Sequence, residues 1–110
     1  MFKVLKRTKA YTDLNSAEFE MELKNNKDAV VVDVRTMGEF RSGRIPGAIN
    51  IDLMSSDFDK RVSTLDKGKT YLVYCRSGSR SAQACEVMAS KGLQSANLSG
   101  GIIRWRGELN

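Results

Sequence analysis

The sequence contains no histidine, and its 110 residues include only two cysteines and one proline. Without histidine there is no imidazole to bind zinc or haem iron or to activate a nucleophile, and no C-x-x-C pair is present. We therefore expect no metal site and no other cofactor. The cysteines, Cys75 and Cys85, do not suggest a disulfide scaffold. Any nucleophile in this chain must work without an imidazole base.

Long apolar runs are also absent. No segment approaches the length of a membrane span, and the first residues lack the apolar region of a signal peptide. We therefore expect a cytoplasmic protein without a membrane partner, while an export signal removed before position 1 is left open. The chain is long enough to bury one core, so a single globular domain is expected.

Acidic residues are missing from the first twelve positions, whereas four of the eighteen basic residues lie there: Lys3, Lys6, Arg7 and Lys9. From position 10 onward, fourteen basic residues face thirteen acidic ones. The net charge of +5 therefore belongs mainly to a basic N-terminal arm, residues 1–9, and the domain occupies residues 10–110. This distribution argues against a nucleic-acid partner. We favour a solvated tail over a docking segment for an acidic partner.

Apolar patterning and capping signals predict alternating strands and helices. Strands are predicted at 9–13, 29–34, 47–51, 70–75 and 95–99, and helices at about 15–24, 36–42, 55–65, 81–91 and 103–109. Asn15 with Glu18, and Thr36 with Glu39, form capping-box patterns at two helix starts. The alternation predicts an α/β fold whose mostly parallel sheet is covered by helices on both faces.

The segment after the fourth predicted strand carries the strongest chemical signal. It consists of Cys75, Arg76, Ser77, Gly78, Ser79 and Arg80. A loop between a strand and a helix directs backbone N–H groups inward, and the helix start adds partial positive charge. Both features, with the two arginines, should lower the thiol pKa below the ~8.5 of free cysteine. The sequence predicts an anion-binding cup with Cys75 as nucleophile, in preference to a buried cysteine beside an ordinary turn.

Cys85 has a different interpretation. It shares one face of its predicted helix with Ala82, Met88 and Ala89, which favours a small buried residue. A resolving role would require its sulfur near Cys75, but its helical position lies ~9 Å along the axis from the loop.

Loop length separates the possible reactions. Cysteine-dependent phosphatases and arsenate reductases share a C-x5-R loop around a tetrahedral oxyanion, whereas Cys75 and Arg80 give C-x4-R. The shorter cup suits a sulfur atom carried on cysteine better than a full phosphoryl group.

Four motifs together resemble the single-domain rhodaneses, which are thiosulfate- or persulfide-dependent sulfurtransferases. They are Val32-Asp33-Val34-Arg35-Thr36 with Glu39-Phe40, the run Gly43-Arg44-Ile45-Pro46-Gly47-Ala48-Ile49-Asn50, the Cys75–Arg80 loop followed by Ser81, and Gly100-Gly101 with Trp105. The resemblance covers nearly everything from Tyr11 to Trp105. It implies a three-layer rhodanese-like fold, with a five-stranded, mostly parallel sheet between helices.

The resemblance also implies supporting roles outside the loop. Asp33 would organise neighbouring loops and Arg35 would form ion pairs that hold the short second helix. A structural salt bridge between Arg35 and Glu39 is an equally open interpretation. Many family members have histidine where this chain has Arg44, which leaves the hydrogen bonding there open.

Structural roles are expected for two glycine-containing segments and for one aromatic residue. Pro46-Gly47 suits the middle of a type II turn. Gly100-Gly101 permits close approach to a neighbouring loop. Trp105 is expected in the core.

The implied activity is transfer of a sulfane sulfur through a Cys75 persulfide. The donor would be thiosulfate or a persulfide, and the acceptor cyanide in an assay, or a thiol or sulfur-carrier protein in a cell. Arg76, Ser77, Gly78, Ser79 and Arg80 would bind the substrate, with Arg80 meeting the leaving sulfite. A non-catalytic binding module of the same fold stays possible, although such modules commonly lack the cysteine.

Overall fold

The computed structural model describes residues 10–110, so the predicted basic arm lies outside the described residues. The five strands form one sheet in the order β1-β5-β4-β2-β3, and every pairing between them is parallel. Their bounds are β1 Thr12–Leu14, β2 Ala29–Asp33, β3 Ile49–Asn50, β4 Thr70–Tyr74 and β5 Gln94–Leu98. Four α-helices connect them: α1 Ser16–Asn25, α2 Met37–Ser42, α3 Phe58–Ser63 and α4 Ser79–Ser90. The predicted α/β architecture is confirmed.

Apolar side chains cover both faces of the sheet. Val32 and Val73 point toward one cluster, which includes Phe58 of α3 and Met88 of α4. Residues one position earlier on the same strands point the other way, as the strand period requires, and pack with Phe19 of α1. The sheet is therefore the middle of three layers.

Strand register places Asp33 and Cys75 at the same edge of the sheet. Asp33, the last residue of β2, pairs with Tyr74, the last residue of β4. Cys75 follows directly, so it leaves the sheet at the carboxyl end of its central strand. In open α/β sheets this edge is where ligands bind.

Both predicted capping boxes are present. The Asn15 side chain accepts from the Glu18 backbone N–H at 2.9 Å, and Glu18 accepts from the Asn15 N–H at 2.8 Å. Thr36 and Glu39 make the equivalent pair at 3.2 and 3.1 Å. These bonds satisfy N–H groups that a helix start leaves free, which explains the observed starts of α1 and α2.

The predicted last helix, 103–109, is wrong. Only a 3₁₀ turn, Ile102–Arg104, forms there. The Arg106 N–H donates to the Ser16 hydroxyl at 2.9 Å, which takes away the next helical hydrogen bond. The chain therefore continues non-helically past Trp105.

The other boundaries differ less. Helix α4 begins at Ser79 instead of 81, because Gly78 takes a left-handed φ of 107° and ends the loop early. Helix α3 is shorter than the predicted 55–65. The turn at Pro46-Gly47 is confirmed: Gly47 has φ 83° and the Ala48 N–H donates to the Ile45 carbonyl at 3.1 Å.

Arg44 supports the segment that precedes this turn. Its guanidinium donates to the Phe40 carbonyl at 3.2 Å and lies 4.8 Å from the centre of the Phe40 ring. Its backbone pairs with that of Asn110.

None of the helices between residues 10 and 110 has the length and apolar character needed to cross a membrane.

Candidate active site

The Cys75 sulfur lies at the base of the loop that joins β4 to α4. It accepts a hydrogen bond from the Gly78 backbone N–H at 3.1 Å and from the Ser81 hydroxyl at 3.3 Å. The residue is only 1% exposed. The left-handed conformation of Gly78 turns the chain back over the sulfur and starts the helix there.

These contacts set the acidity of the thiol. Burial raises the pKa of Cys75, but hydrogen bonds from the Ser81 hydroxyl and from the backbone N–H groups of Ser81, Gly78 and Ser77 outweigh it, so the pKa lies below its ordinary value. Such bonds favour the charged form because each directs a partial positive charge at the sulfur. The expected acidic thiol is thus supported, and backbone and hydroxyl groups are its main source.

Ser81 is the site residue that the sequence reasoning assigned no role. It is fully buried, three positions into α4, and its hydroxyl contacts Cys75. The sequence held a signal for it: a small hydroxyl residue follows Arg80 in the first turn of a helix whose N-terminus faces the thiol.

The Arg80 guanidinium is paired with a carboxylate and is therefore not a free anion-binding group. Its guanidinium forms two hydrogen bonds to Glu39, at 2.8 and 3.0 Å, and each side chain is about one-third exposed. The pair joins α4 to α2. Arg76, by contrast, is exposed and makes no ion pair with another residue of the described range 10–110.

Beneath the loop lies a buried ion pair. The Arg35 guanidinium donates to Asp33 at distances from 2.7 to 3.1 Å, and the two residues are 6% and 0% exposed. Arg35 also donates to the Gly43 carbonyl at 2.6 Å, at the end of α2. The Asn50 amide donates to the carbonyls of Asp33 and Arg35, at 2.9 Å each. This network ties β2, β3 and α2 together, and the supporting roles of Asp33 and Arg35 in activity stay a prediction.

The alternative salt bridge between Arg35 and Glu39 is wrong. Arg35 pairs with Asp33, two residues earlier, and Glu39 pairs with Arg80, forty-one residues later in the chain. The four-residue spacing along the sequence favoured a pair between Arg35 and Glu39. The fold instead brings Arg80, at the start of α4, to Glu39.

The two glycines after β5 bring the chain against the back of the loop. Gly101 has φ 65°, and a Cβ there would overlap the Arg76 carbonyl. The Ile102 N–H donates to the Cys75 carbonyl at 2.9 Å, and the Ile103 N–H donates to the Arg76 carbonyl at 3.3 Å. The expected close backbone approach is confirmed, and it fixes the loop from behind.

Cys85 lies in the core as expected, whereas Trp105 packs against the edge of the core. Cys85 is fully buried, and burial raises the pKa of its thiol to about 12, so it stays protonated. Trp105 is half-buried and packs edge-on against Phe19, with ring centres 5.8 Å apart. The two cysteines thus have opposite chemical characters, and only Cys75 is suited to nucleophilic attack.

Known proteins resemble this chain in sequence and fold. The Rhodanese-like domain profile matches residues 16–108. A protein named sulfurtransferase from Allochromatium vinosum is 35% identical over 94 residues, which cover 84% of this chain and 86% of that protein. The solved rhodanese-related protein from Thermoplasma volcanium aligns with a TM-score of 0.81 and 31% identity, covering 91% of this chain and 98% of that one. The rhodanese-like domain protein from Staphylococcus aureus aligns with a TM-score of 0.77 and 29% identity. The alignment covers 88% of this chain and 93% of that one.

Proposed function

Because the chain belongs to the Rhodanese-like domain family, we propose that it is a sulfurtransferase that moves a sulfane sulfur through a Cys75 persulfide. The donor is thiosulfate or a persulfide, and the acceptor is a nucleophile such as cyanide, a thiol or a sulfur-carrier protein. One observation carries the proposal: the Cys75 sulfur accepts hydrogen bonds from Gly78 and Ser81 inside a small loop.

The first half-reaction begins with the preformed thiolate. The Cys75 sulfur attacks the outer sulfur of thiosulfate, a new S–S bond forms, and sulfite leaves with the electron pair of the broken bond. The total charge is unchanged, because one thiolate and one dianion become one persulfide anion and one dianion. No general base takes part, since the hydrogen bonds to Cys75 lower its pKa and favour the thiolate.

The loop would stabilise the negative outer sulfur of the persulfide. Backbone N–H groups of the loop from Arg76 to Arg80 would donate to that atom, as donors do in an oxyanion hole, and the Gly78 N–H already donates to the cysteine sulfur. The outer sulfur stands about 2 Å beyond the cysteine sulfur, since that is the length of an S–S bond. Cys75 itself is 1% exposed, so the persulfide would bring the transferable atom toward the loop opening.

The second half-reaction returns the enzyme to its starting state. The acceptor attacks the outer sulfur, the S–S bond breaks, and its electron pair returns to Cys75 as thiolate. With cyanide the product is thiocyanate, and with a thiolate it is a new persulfide. Donor and acceptor therefore never need to be bound together, which predicts ping-pong kinetics.

Steady-state kinetics test the proposal. Thiocyanate formation from thiosulfate and cyanide should give parallel double-reciprocal lines, and Cys75→Ser should abolish turnover. Cys85→Ala is the matched control, because that thiol is buried and protonated, and it should keep most activity. Aryl-phosphate hydrolysis and arsenate reduction should be negligible beside cyanolysis. Faster cleavage of aryl phosphate than of thiosulfate would contradict the proposal.

A further inference from the structure

An open groove lies beside the active-site loop. One wall is the first turn of α1, residues 15–17, and the other comprises Ser77, Ile103, Arg104, Trp105 and Arg106. We call these residues together the arginine groove. The activity proposed above uses one residue of its lining, the loop residue Ser77, and none of the others.

Two hydrogen bonds connect this groove to the cysteine. The Ile102 N–H donates to the Cys75 carbonyl, and the Ile103 N–H donates to the Arg76 carbonyl. The chain that lines the groove is therefore one hydrogen bond away from the nucleophile's own backbone. A molecule lying in the groove would have one end beside the loop.

The groove is held by contacts among its own walls. The Arg106 N–H donates to the Ser16 hydroxyl at 2.9 Å, which joins the two walls. The Trp105 indole donates to the Glu108 carbonyl at 2.9 Å and packs against Phe19. Because these contacts connect the two walls and hold Trp105, binding would require little ordering of the protein.

The charge of this surface is of one sign. Arg104 and Arg106 are the charged residues of its lining, and the exposed Arg76 lies next to it on the loop. Within residues 10–110, none of these three arginines takes part in an ion pair. The Glu18 carboxylate accepts from the Asn15 N–H at the α1 end of the groove, away from the wall that carries the arginines. The groove therefore complements an anionic partner.

An exposed apolar residue lies among these cations. Ile103 is 62% exposed, although it follows a sheet that buries most of its large apolar side chains. A cationic surface with one apolar contact suits an extended peptide that carries acidic residues around an apolar one. A small inorganic anion would not use Ile103.

We propose that the arginine groove binds an acidic, extended segment of the protein that accepts the sulfur, and leads its thiol to the Cys75 persulfide. The inference rests on the proposed function. In this step the acceptor thiol loses its proton to water, and its sulfur bonds to the outer sulfur. The bond to Cys75 breaks, and its electron pair stays on Cys75 as thiolate.

Two synthetic peptides with a C-terminal cysteine test this assignment. One carries glutamates around a leucine, and the other carries lysines at the same positions. The native protein is loaded with thiosulfate and freed of excess donor, and loss of the persulfide is followed by intact mass. At low salt the acidic peptide should react about tenfold faster than the basic one. The ratio should fall as salt screens the charges.

Substitutions in the arginine groove test whether its residues cause the faster reaction of the acidic peptide. Arg104→Glu and Arg106→Glu should each reduce the ratio toward one, and Ile103→Ser should slow both peptides. Arg61→Glu is the matched control, because Arg61 is exposed on α3 and the charge change is the same. It should keep the ratio of the native protein.

A native ratio near one, or an equal loss with Arg61→Glu, would overturn the groove assignment. Absence of any persulfide would instead contradict the proposed function. In that case calorimetric binding of the same peptides with serine in place of cysteine still tests the groove. Tighter binding of the acidic peptide, lost in Arg104→Glu but kept in Arg61→Glu, would support it, and equal binding would refute it.

Discussion

At the residue scale, the acidity of Cys75 depends on donors that surround a buried sulfur. The Ser81 hydroxyl is 3.3 Å from that sulfur and is the largest of the influences that lower its pKa. Ser81→Ala should therefore raise the Cys75 pKa and slow alkylation by iodoacetamide at neutral pH by about tenfold, as expected for losing a hydrogen bond to a charged group. Alkylation rates measured against pH give the midpoint directly.

Ser79→Ala is the matched control for that experiment. Ser79 is exposed and lies two residues earlier on the same helix, so its variant should keep the native pH profile. An unchanged profile in Ser81→Ala would mean that the backbone N–H groups alone make the thiolate.

Some features of the site could be predicted from the sequence, and others could not. Cys75 and the loop could be identified because strand pattern, glycine and arginines lie together in the sequence. The partner of Arg80 could not, because Glu39 is forty-one residues away and only the pairing of β2 with β4 brings the starts of α2 and α4 near each other. Contact of Arg80 with a leaving sulfite stays a prediction, and the structure adds a structural partner for that side chain.

At the element scale, the 3₁₀ turn after β5 supports the loop from behind through Gly101. A side chain there would overlap the Arg76 carbonyl, so Gly101→Ala should displace the loop and lower the rate of persulfide formation about a hundredfold. Gly47→Ala is the matched control. It has a similar left-handed φ of 83°, but a Cβ there meets nothing within 4 Å.

Rapid mixing with thiosulfate compares the two variants. Gly47→Ala should lose some stability through backbone strain and keep its rate. Equal rates in both variants would show that the loop does not need the turn at its back.

Elements whose pattern is local were predictable, and those that depend on tertiary contacts were not. The capping boxes at Asn15 and Thr36 fixed the starts of α1 and α2 within the sequence itself. The predicted helix at 103–109 failed because Ser16, about ninety residues earlier, takes the Arg106 N–H. A contact of that range leaves no local signal.

At the scale of the whole molecule, the Glu39–Arg80 pair joins α2 to α4 across the carboxyl edge of the sheet. The hydrogen bond with Arg80 lowers the pKa of Glu39 from 4.5 to about 2. A carboxyl group whose pKa is depressed by folding stabilises the protein fully above its unfolded pKa, and this contribution is lost as pH falls toward the folded value. The native protein should therefore lose stability between about pH 5 and pH 2 partly through this group.

Urea unfolding followed by Trp105 fluorescence measures that dependence. Glu39→Gln should be less stable at neutral pH and should show a flatter decline through the acid range. Glu20→Gln is the control, since within residues 10–110 Glu20 pairs with the exposed Lys24 alone, at 3.4 Å. Parallel acid profiles for the native protein and Glu39→Gln would contradict the contribution of the pair.

The global fold was accessible from the sequence for a physical reason. Apolar strands such as β2 and β4 alternate with helices, and this alternation leaves a helix-covered parallel sheet as the arrangement that buries them. The sheet order and the burial of the Asp33–Arg35 pair were not accessible, because both depend on which elements pack together.

The central claim is that Cys75 carries the transferred sulfur, and intact mass spectrometry tests it most directly. Incubation of the native protein with excess thiosulfate should add one sulfur, about 32 Da, and cyanide should remove it. The addition should persist in Cys85→Ala and disappear in Cys75→Ser. A sulfur adduct on Cys85 with Cys75 unmodified, or no adduct in a folded native protein, would contradict the account.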